Sequence, residues 1–225
     1  MNNTLYITQS LLFLINIYGF LYSYLITTTS FFKSYKIQSK DIGFEIIKRR
    51  SFLVLFNIII LMFLTSIGLM FFESIFITSY KSFSVALGKL IIVLLIDDLF
   101  FYFLHRIMHQ SKYIYKTIHK IHHRANTPIP IDYIYVHPLE WLSGFIGPFL
   151  GMVLLGGISV YTFWAYLIIR NIHELHIHSG LKTSFLSKII PFYGPNEHHD
   201  MHHAKRDGNY ASTLIIWDKI FKTQF

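Results

Sequence analysis

Residues 85–123 read VALGKLIIVLLIDDLFFYFLHRIMHQSKYIYKTIHKIHH and join a hydrophobic segment to two histidine motifs. Residues 85–104 are apolar except for Lys89, Asp97 and Asp98, and about 20 such residues allow a helix to cross a bilayer. His105 and His109 follow, and a spacing of four residues places both rings on one helix face. An H-x-x-H-H motif comes next, formed by His119, His122 and His123. The stretch therefore predicts a membrane helix that ends in a histidine-rich site.

The composition of the whole chain agrees with a membrane protein. Of its 225 residues 53% are hydrophobic and only 14% are charged, whereas an average soluble domain is about 25% charged. The chain has no cysteine. Disulfides, thiolate metal sites, iron–sulfur clusters and covalent haem attachment are therefore excluded.

Three further apolar segments, residues 5–27, 52–72 and 145–169, complete a predicted all-α integral membrane bundle. Basic loops remain on the cytosolic side of a membrane, so the basic loop after segment 5–27 is predicted to be cytosolic. Segment 52–72 then leaves that side and segment 85–104 returns to it, which places the region that begins at His105 on the cytosolic side. The basic residues of that loop are Lys33, Lys36, Lys40, Lys48, Arg49 and Arg50. Residues 1–84 are predicted as an N-terminal transmembrane region and residues 85–225 as the catalytic domain.

The fourth apolar segment is interrupted by Gly156 and Gly157. It is too short to cross the membrane twice at about 1.5 Å per residue. We therefore predict a re-entrant helical hairpin that turns at these glycines, so that all the histidines meet in a cytosolic helical cap. The alternative is one straight span, which would place the last histidines across the membrane from His105.

All 13 histidines lie at or after residue 105, and His199, His202 and His203 repeat the H-x-x-H-H motif. Random placement at this composition gives roughly 0.04 such motifs per chain. Eight imidazoles exceed the needs of one tetrahedral zinc ion, so two metal ions are predicted. Imidazole suits iron, zinc and copper alike, and zinc is able to replace iron in a purified sample.

Several carboxylates are candidates for orienting the ligand rings. Asp98 lies two helical turns before His105, and its carboxylate is predicted to accept a ring N–H and fix a ligand; the alternative is a polar residue in helix packing. Glu140 and Asp200 are weaker candidates of the same kind. His173, Glu174, His176 and His178 crowd one short stretch, and only some of them are expected to reach the metals.

Five strings carry a resemblance to a known family. They are DLFFYFLHRIMH (98–109), YKTIHKIHH (115–123), HPLE (137–140), HSG (178–180) and the tail IPFYGPNEHHDMHHAKRDGNYASTLIIWDKIF (190–221). The chain thus resembles the fatty acid hydroxylase / sterol desaturase superfamily, and within it the sterol 4-methyl oxidases (methylsterol monooxygenases). Two features depart from the pattern: His173 and His176 replace expected acidic residues, and Lys222 replaces an expected glycine.

The resemblance implies a four-helix membrane bundle topped by a cytosolic di-iron site. It implies that the ligands are His105, His109, His119, His122, His123, His199, His202 and His203, with His178 and His137 as further ligands. It also implies a lipid or sterol substrate drawn from the bilayer, dioxygen, and electrons from a cytochrome b5-type donor with its NAD(P)H reductase. In a eukaryote the expected compartment is the endoplasmic reticulum membrane. No nucleic acid partner is expected.

The leading hypothesis is oxidation of a sterol 4-methyl group. A fatty-acyl or other lipid hydroxylase or desaturase is the alternative within the superfamily. A metal-binding transporter or sensor and a metal-dependent hydrolase are alternatives of other classes. A basic rim around the histidine motifs would dock an acidic electron carrier, although the cytosolic bias of basic residues also explains the charge. The rim consists of Arg106, Lys112, Lys116, Lys120, Arg124, Lys205 and Arg206.

Overall fold

The computed structural model describes residues 2–40, 42–76, 82–183 and 189–225, and these residues form helices and no β-strand. The described α-helices are α1 Asn2–Thr28, α2 Glu45–Phe71, α3 Phe83–Gln110, α4 Lys112–Thr117, α5 Pro138–Gly144, α6 Ile146–Leu154, α7 Val160–Ile177, α8 Asn196–Lys205 and α9 Ile216–Ile220. Short 3-10 helices cover Ser30–Tyr35, Glu73–Ile75, His119–Arg124 and Pro130–Ile134.

Helices α1 and α2 are long and apolar enough to cross a membrane. Both expose large apolar side chains, including Phe13, Phe52 and Phe63, which a soluble surface rarely displays in such number. These helices therefore indicate membrane association. The predicted segment 5–27 lies within α1, and the predicted segment 52–72 lies within α2 except for Phe72.

Helix α2 begins at Glu45, seven residues before the predicted segment, so Lys48, Arg49 and Arg50 are helical. The prediction that all three belong to a loop was wrong. Arg50 is buried and forms an ion pair with the buried carboxylate of Asp132. Pairing with an opposite charge is what makes a buried guanidinium tolerable inside the bundle.

Helix α3 contains the predicted segment 85–104, and its charged residues have partners. The Lys89 ammonium donates hydrogen bonds to the carbonyl oxygens of Leu155 at 3.1 Å and Gly157 at 2.6 Å. Asp97 accepts hydrogen bonds from the Tyr166 hydroxyl at 2.8 Å and from Arg170 Nε at 3.0 Å. Lys89 therefore connects α3 to the turn between α6 and α7, and Asp97 connects α3 to α7.

The predicted turn in segment 145–169 is present, because α6 ends at Leu154 and α7 begins at Val160. Gly156 and Gly157 have φ values of 63° and 96°, a left-handed conformation that glycine adopts without the usual steric cost. Helix α6 packs on α3, and α7 packs on α1 and α3. One hydrophobic core thus joins residues from both predicted regions, including Leu12, Val54, Val93 and Met152.

Replacing Gly147 by alanine is expected to destabilise the crossing of α6 and α3. A Cβ atom at this position would lie 2.6 Å from Asp97 Oδ1 and 3.1 Å from both the Asp97 Cα and Phe100 Cδ1. Overpacking of this kind costs about 1–3 kcal/mol. Thermal unfolding in detergent measures the effect, with Gly144→Ala as the control because no heavy atom lies within 4 Å of its added Cβ. Equal stability of the two variants would contradict the packing argument.

Candidate metal centre

The structure brings nine histidine rings together in two adjacent groups. The five-histidine group consists of His105, His109, His119, His123 and His202. The four-histidine group consists of His122, His178, His199 and His203. Each histidine contributes one ring nitrogen, and within each group these nitrogens all lie within 4.8 Å of one another. The rings come from α3, the 3-10 helix His119–Arg124, the end of α7, and α8.

The distances between ring nitrogens are those of ligands around a metal ion. In the five-histidine group the Nε2 atoms of His109, His119 and His123 lie 2.9–3.0 Å apart. In the four-histidine group Nε2 of His199 lies 3.0 Å from that of His178 and 3.1 Å from that of His203. With metal–nitrogen bonds of about 2.1 Å, neighbouring ligand nitrogens stand about 3.0 Å apart at right angles and about 3.4 Å apart in a tetrahedron. In the four-histidine group the Nε2 atoms of His178 and His122 lie 3.4 Å apart, so the spacings span both the right-angle and the tetrahedral values.

Hydrogen bonds at the opposite ring nitrogens fix the tautomers. The Nδ1 atoms of His105, His202 and His178 each lie 2.8 Å from a backbone carbonyl oxygen, that of Tyr210, Gly208 and Glu174 respectively. A carbonyl only accepts, so each Nδ1 donates and each Nε2 carries a lone pair. Lone pairs that face one another repel unless a cation lies between them. The residues therefore fit a pair of bound metal ions.

Burial keeps the rings ready to bind metal. Burial, followed by the influence of neighbouring rings, lowers the pKa of His122, His199, His202 and His203 well below the ordinary value of histidine. The pKa of His123 is lowered for the same reasons. Neutral imidazole is the form that ligates metals, so these rings need not lose a proton at neutral pH before binding.

The predicted ligand His137 lies in neither group. Its Nδ1 accepts a hydrogen bond from the Leu139 backbone N–H at 3.2 Å, which caps the start of α5. His173 and His176 also lie outside both groups. His173 Nδ1 instead lies 2.7 Å from the Tyr193 hydroxyl.

Of the three carboxylates that were predicted to orient histidine rings, Asp98 and Asp200 have other partners in the structure, and Glu140 lies beside a ring. Asp98 reaches no described ring; its oxygens accept hydrogen bonds from the backbone N–H groups of Thr213 and Leu214 and from the Trp217 indole. Asp200 accepts one from Gln38. The Glu140 carboxylate does lie beside a ring, with its Oε1 2.8 Å from His119 Nδ1.

Two features of the site were not predicted from the sequence. The backbone carbonyls of Gly208 and Tyr210 accept hydrogen bonds from His202 and His105. His198 Nε2 lies 2.9 Å from Asp218 Oδ2. The GNYAS string at 208–212 was noted only as part of the resemblance. Nothing in its residue types indicates that its carbonyl oxygens face ligand rings.

A cavity of about 400 Å³ extends from the histidine groups into the helical bundle. Its histidine end includes His105, His119, His122, His178 and His199. Its remaining walls are mostly apolar and come from several helices, with Leu61, Leu69, Phe72, Phe149 and Met152 among the lining residues. Ligand pockets commonly occupy 300–1,000 Å³ and are predominantly apolar.

A helical, membrane-associated chain with two polyhistidine groups at the end of an apolar cavity has the features of a metalloenzyme that acts on an apolar substrate. Residues 90–223 match the model of the fatty acid hydroxylase family, and the chain belongs to this family. The resemblance seen in the sequence is thereby confirmed, and family membership favours an oxygenase over the transporter, sensor and hydrolase alternatives.

Relatives with curated names agree with this assignment. The chain is 35% identical to methylsterol monooxygenase 1 of Rattus norvegicus over 98% of this chain and 75% of that protein. It is 41% identical to methylsterol monooxygenase 1 of Gallus gallus over 57% of this chain and 43% of that protein. For methylsterol monooxygenase 2-2 of Arabidopsis thaliana the identity is 34% over 60% of this chain and 52% of that protein. No solved structure matches the chain significantly.

Proposed function

We propose that this chain is a membrane-bound, non-haem di-iron oxygenase that oxidises a C–H bond of a lipid. The proposed substrate is a sterol, and the proposed site of oxidation is its 4-methyl group. The observation that carries the proposal is the apolar cavity that ends at both histidine groups. The family match and the names of the relatives support it. A fatty-acyl or other lipid substrate is the alternative.

The nine grouped histidines are the proposed ligands, and His137 is the predicted ligand with the least geometric support. Two irons held by these rings would supply the activation of dioxygen and the oxidising power that no side chain possesses. Zinc also binds imidazole, and the choice of iron rests on membership of the fatty acid hydroxylase family.

The residues of the chain position the substrate and exclude water. The apolar walls of the cavity hold a hydrocarbon skeleton, and its histidine end places one carbon near the ligand rings. Glu140 Oε1 lies 2.8 Å from His119 Nδ1, so a hydrogen bond formed there would hold the ring and increase the basicity of the coordinating nitrogen. The cavity walls thus select which carbon is oxidised, and Glu140 tunes one of the histidines that would hold the metal.

Two polar atoms beside the histidine end support a substrate with a hydroxyl group. Glu140 Oε2 and Trp141 Nε1 are buried and have no hydrogen-bond partner among the described residues, and both residues line the cavity. Both atoms are closed off from the cavity in this conformation, so a substrate hydroxyl, which both donates and accepts, would satisfy them after the two side chains turn toward it. A sterol carries a hydroxyl on the carbon next to position 4, whereas an unsubstituted acyl chain has none near the oxidised carbon.

The structure supports the proposed re-entrant hairpin. Helix α5, which precedes α6, carries Glu140 at the histidine end, and α7 is followed by His178 in the four-histidine group. The intervening turn lies at Lys89, roughly 24 Å along α3 from His105 at 1.5 Å per residue. We therefore propose that the hairpin enters and leaves on the cytosolic side, and that the compartment is the endoplasmic reticulum if the source is eukaryotic.

The division at residues 84 and 85 stays a prediction. The family match from residue 90 supports a catalytic unit at 85–225. Leu12, Leu61 and Leu69 of the N-terminal part nevertheless line the cavity, so we propose that both parts build one active site.

Insertion of one oxygen atom of O2 into a C–H bond and reduction of the other to water consumes two electrons, so an external donor must supply them. The sequence contains no cysteine that would hold an iron–sulfur cluster as a relay. Six of the seven rim residues are exposed: Lys112, Lys116, Lys120, Arg124, Lys205 and Arg206. They flank the histidine motifs in the sequence. We propose this rim as the docking surface for an acidic carrier of the cytochrome b5 type, whose association would weaken as salt rises.

Turnover of a 4-methyl sterol with dioxygen and an electron donor tests the function. The iron-loaded chain is expected to oxidise the sterol in preference to a fatty-acyl lipid, with mass spectrometry of products as the measurement. A matched sterol without the hydroxyl should be oxidised more slowly than the hydroxylated sterol. In the Trp141→Phe variant the two oxidation rates should be more alike, because the variant lacks one partner of the hydroxyl. Preference for the acyl lipid would reject the sterol proposal, and absence of any oxidised lipid would reject the oxygenase.

A further inference from the structure

The loop between α8 and α9 contacts two ligand rings through its backbone. The carbonyl oxygens of Gly208 and Tyr210 accept hydrogen bonds from the Nδ1 atoms of His202 and His105, each at 2.8 Å. Both rings belong to the five-histidine group. Among the described residues, no carbonyl of this loop bonds to a ring of the four-histidine group. The Ser212 hydroxyl of the loop donates to Glu174 Oε1 at 2.6 Å, and the Glu174 carbonyl accepts a hydrogen bond from His178 Nδ1.

Asp218 holds the middle of this loop from α9. Its side chain is fully buried, and its two oxygens accept hydrogen bonds from the backbone N–H groups of Tyr210 and Ala211, each at 2.9 Å. The Thr223 hydroxyl donates a further bond at 2.6 Å, and His198 Nε2 lies 2.9 Å away. The carboxylate thus binds the residue whose carbonyl orients His105.

Asp98 holds the end of the same loop from α3. It is 2% exposed and accepts hydrogen bonds from the N–H groups of Thr213 at 2.8 Å and Leu214 at 3.1 Å. The Trp217 indole donates another at 2.8 Å. Asp98 lies on the helix that carries His105, so it fixes the loop relative to the ring that the loop orients.

The loop conformation depends on these restraints. Gly208 has a φ of 110° and Asn209 a φ of 54°, values in the left-handed region that glycine adopts freely and that asparagine tolerates better than most residues. The Asn209 N–H donates to the Thr223 carbonyl at 2.7 Å, and its side-chain amide donates to the His198 carbonyl at 3.1 Å. A buried carboxylate is costly unless it is fully hydrogen-bonded, and here two of them bond mainly to one short loop.

We propose that Asp98 and Asp218 are positioning residues that, through the loop 208–214, set the metal affinity of the five-histidine group more strongly than that of the four-histidine group. The loop bonds directly to two rings of the first group, whereas it reaches the second through Ser212 and Glu174. Outer partners of ligating histidines typically contribute 10–100-fold to metal affinity. The carboxylates act through backbone carbonyls, so their removal loosens His105 and His202 without removing a ligand. The proposal rests on the two-metal function and adds a selective role for one loop.

Asp218→Asn and Asp98→Asn test the proposal, because the amide keeps the shape and loses the charge and one acceptor. Ferrous iron is titrated anaerobically into the metal-free full chain in detergent, with binding stoichiometry and affinity as readouts. In each variant one of the two binding steps is expected to weaken by about 10–100-fold, and the other is expected to weaken clearly less. Asp207→Asn is the control, since it makes the same change at an exposed residue beside the loop.

Equal weakening of both steps, or no change in variants whose helical circular dichroism matches the wild type, overturns the proposal. If neither variant folds, Thr223→Val is measured instead, because it removes only one hydroxyl that bonds to Asp218. A folded Thr223→Val chain with unchanged affinity at both steps also overturns it. A wild-type chain that binds fewer than two irons would instead refute the two-metal function, a separate result that the variants do not produce.

Discussion

Replacement of His199 by alanine is expected to leave about one iron per chain where the wild type holds two, and to abolish lipid oxidation. His199 is buried, and its Nε2 lies 3.0 Å from that of His178 and 3.1 Å from that of His203. Its loss leaves three rings in the four-histidine group and a gap at their centre. The five-histidine group contains no atom of His199, so it should keep its metal.

Anaerobic reconstitution with ferrous iron, followed by metal analysis, gives the stoichiometry, and product analysis gives the activity. His176→Ala is the control because it removes a histidine of the same region that lies outside both groups. His123→Ala is the companion variant, and it should lose the other metal. Combining it with His199→Ala should then leave little bound iron.

Two irons in the His199→Ala chain would show that this ring is not a ligand. One iron in the wild type, unchanged in both single variants, would refute the two-metal arrangement itself. Loss of one iron from the His176→Ala chain, as in His199→Ala, would show that the two groups do not delimit the site. Each result thus addresses a different part of the geometry.

The histidine groups were predictable because their information is local. A spacing of three or four residues on a helix determines which rings share a face, and this applies to His105 with His109 and to His199 with His203. The apolar lengths of α1, α2 and α3 are equally local. The turn at Gly156 and Gly157 was predictable because a pair of glycines interrupts an otherwise apolar segment.

The partners of the carboxylates were not predictable, because they depend on contacts between distant parts of the chain. Asp98 was expected to contact a ring two turns away, yet it bonds to Thr213 and Leu214, more than a hundred residues later. Backbone carbonyls supply the acceptors for His105 and His202, and every residue has a carbonyl. Residue types therefore carry no signal for this role.

The start of α2 illustrates the same limit. Three consecutive basic residues, Lys48, Arg49 and Arg50, indicated a cytosolic loop, since exposed and buried arginines look alike in a sequence. In the structure Lys48 and Arg49 are exposed and Arg50 is buried. Its partner Asp132 lies 82 residues away, which no local pattern connects to it.

Arg50→Met is expected to destabilise the fold by about 3–5 kcal/mol, the usual consequence of removing one partner from a buried ion pair. Asp132 is fully buried, and apart from Arg50 its described partner is the Ile129 N–H at 2.8 Å. Without the guanidinium its charge would be largely uncompensated. The pair also joins α2 to Pro130–Ile134, whose Tyr133 and Ile134 line the cavity, so loss of the pair should loosen the substrate site as well.

Unfolding in detergent measures the effect, with Arg49→Met as the matched control because the neighbouring arginine is exposed. An exposed arginine contributes about 0–1 kcal/mol through any ion pair, so Arg49→Met should remain close to the wild type. Adding Asp132→Asn to Arg50→Met should recover part of the loss, since the double variant no longer buries an unpaired charge. Equal stability of the two single variants, or no recovery in the double variant, would mean that the buried pair does not hold α2 against the cavity wall.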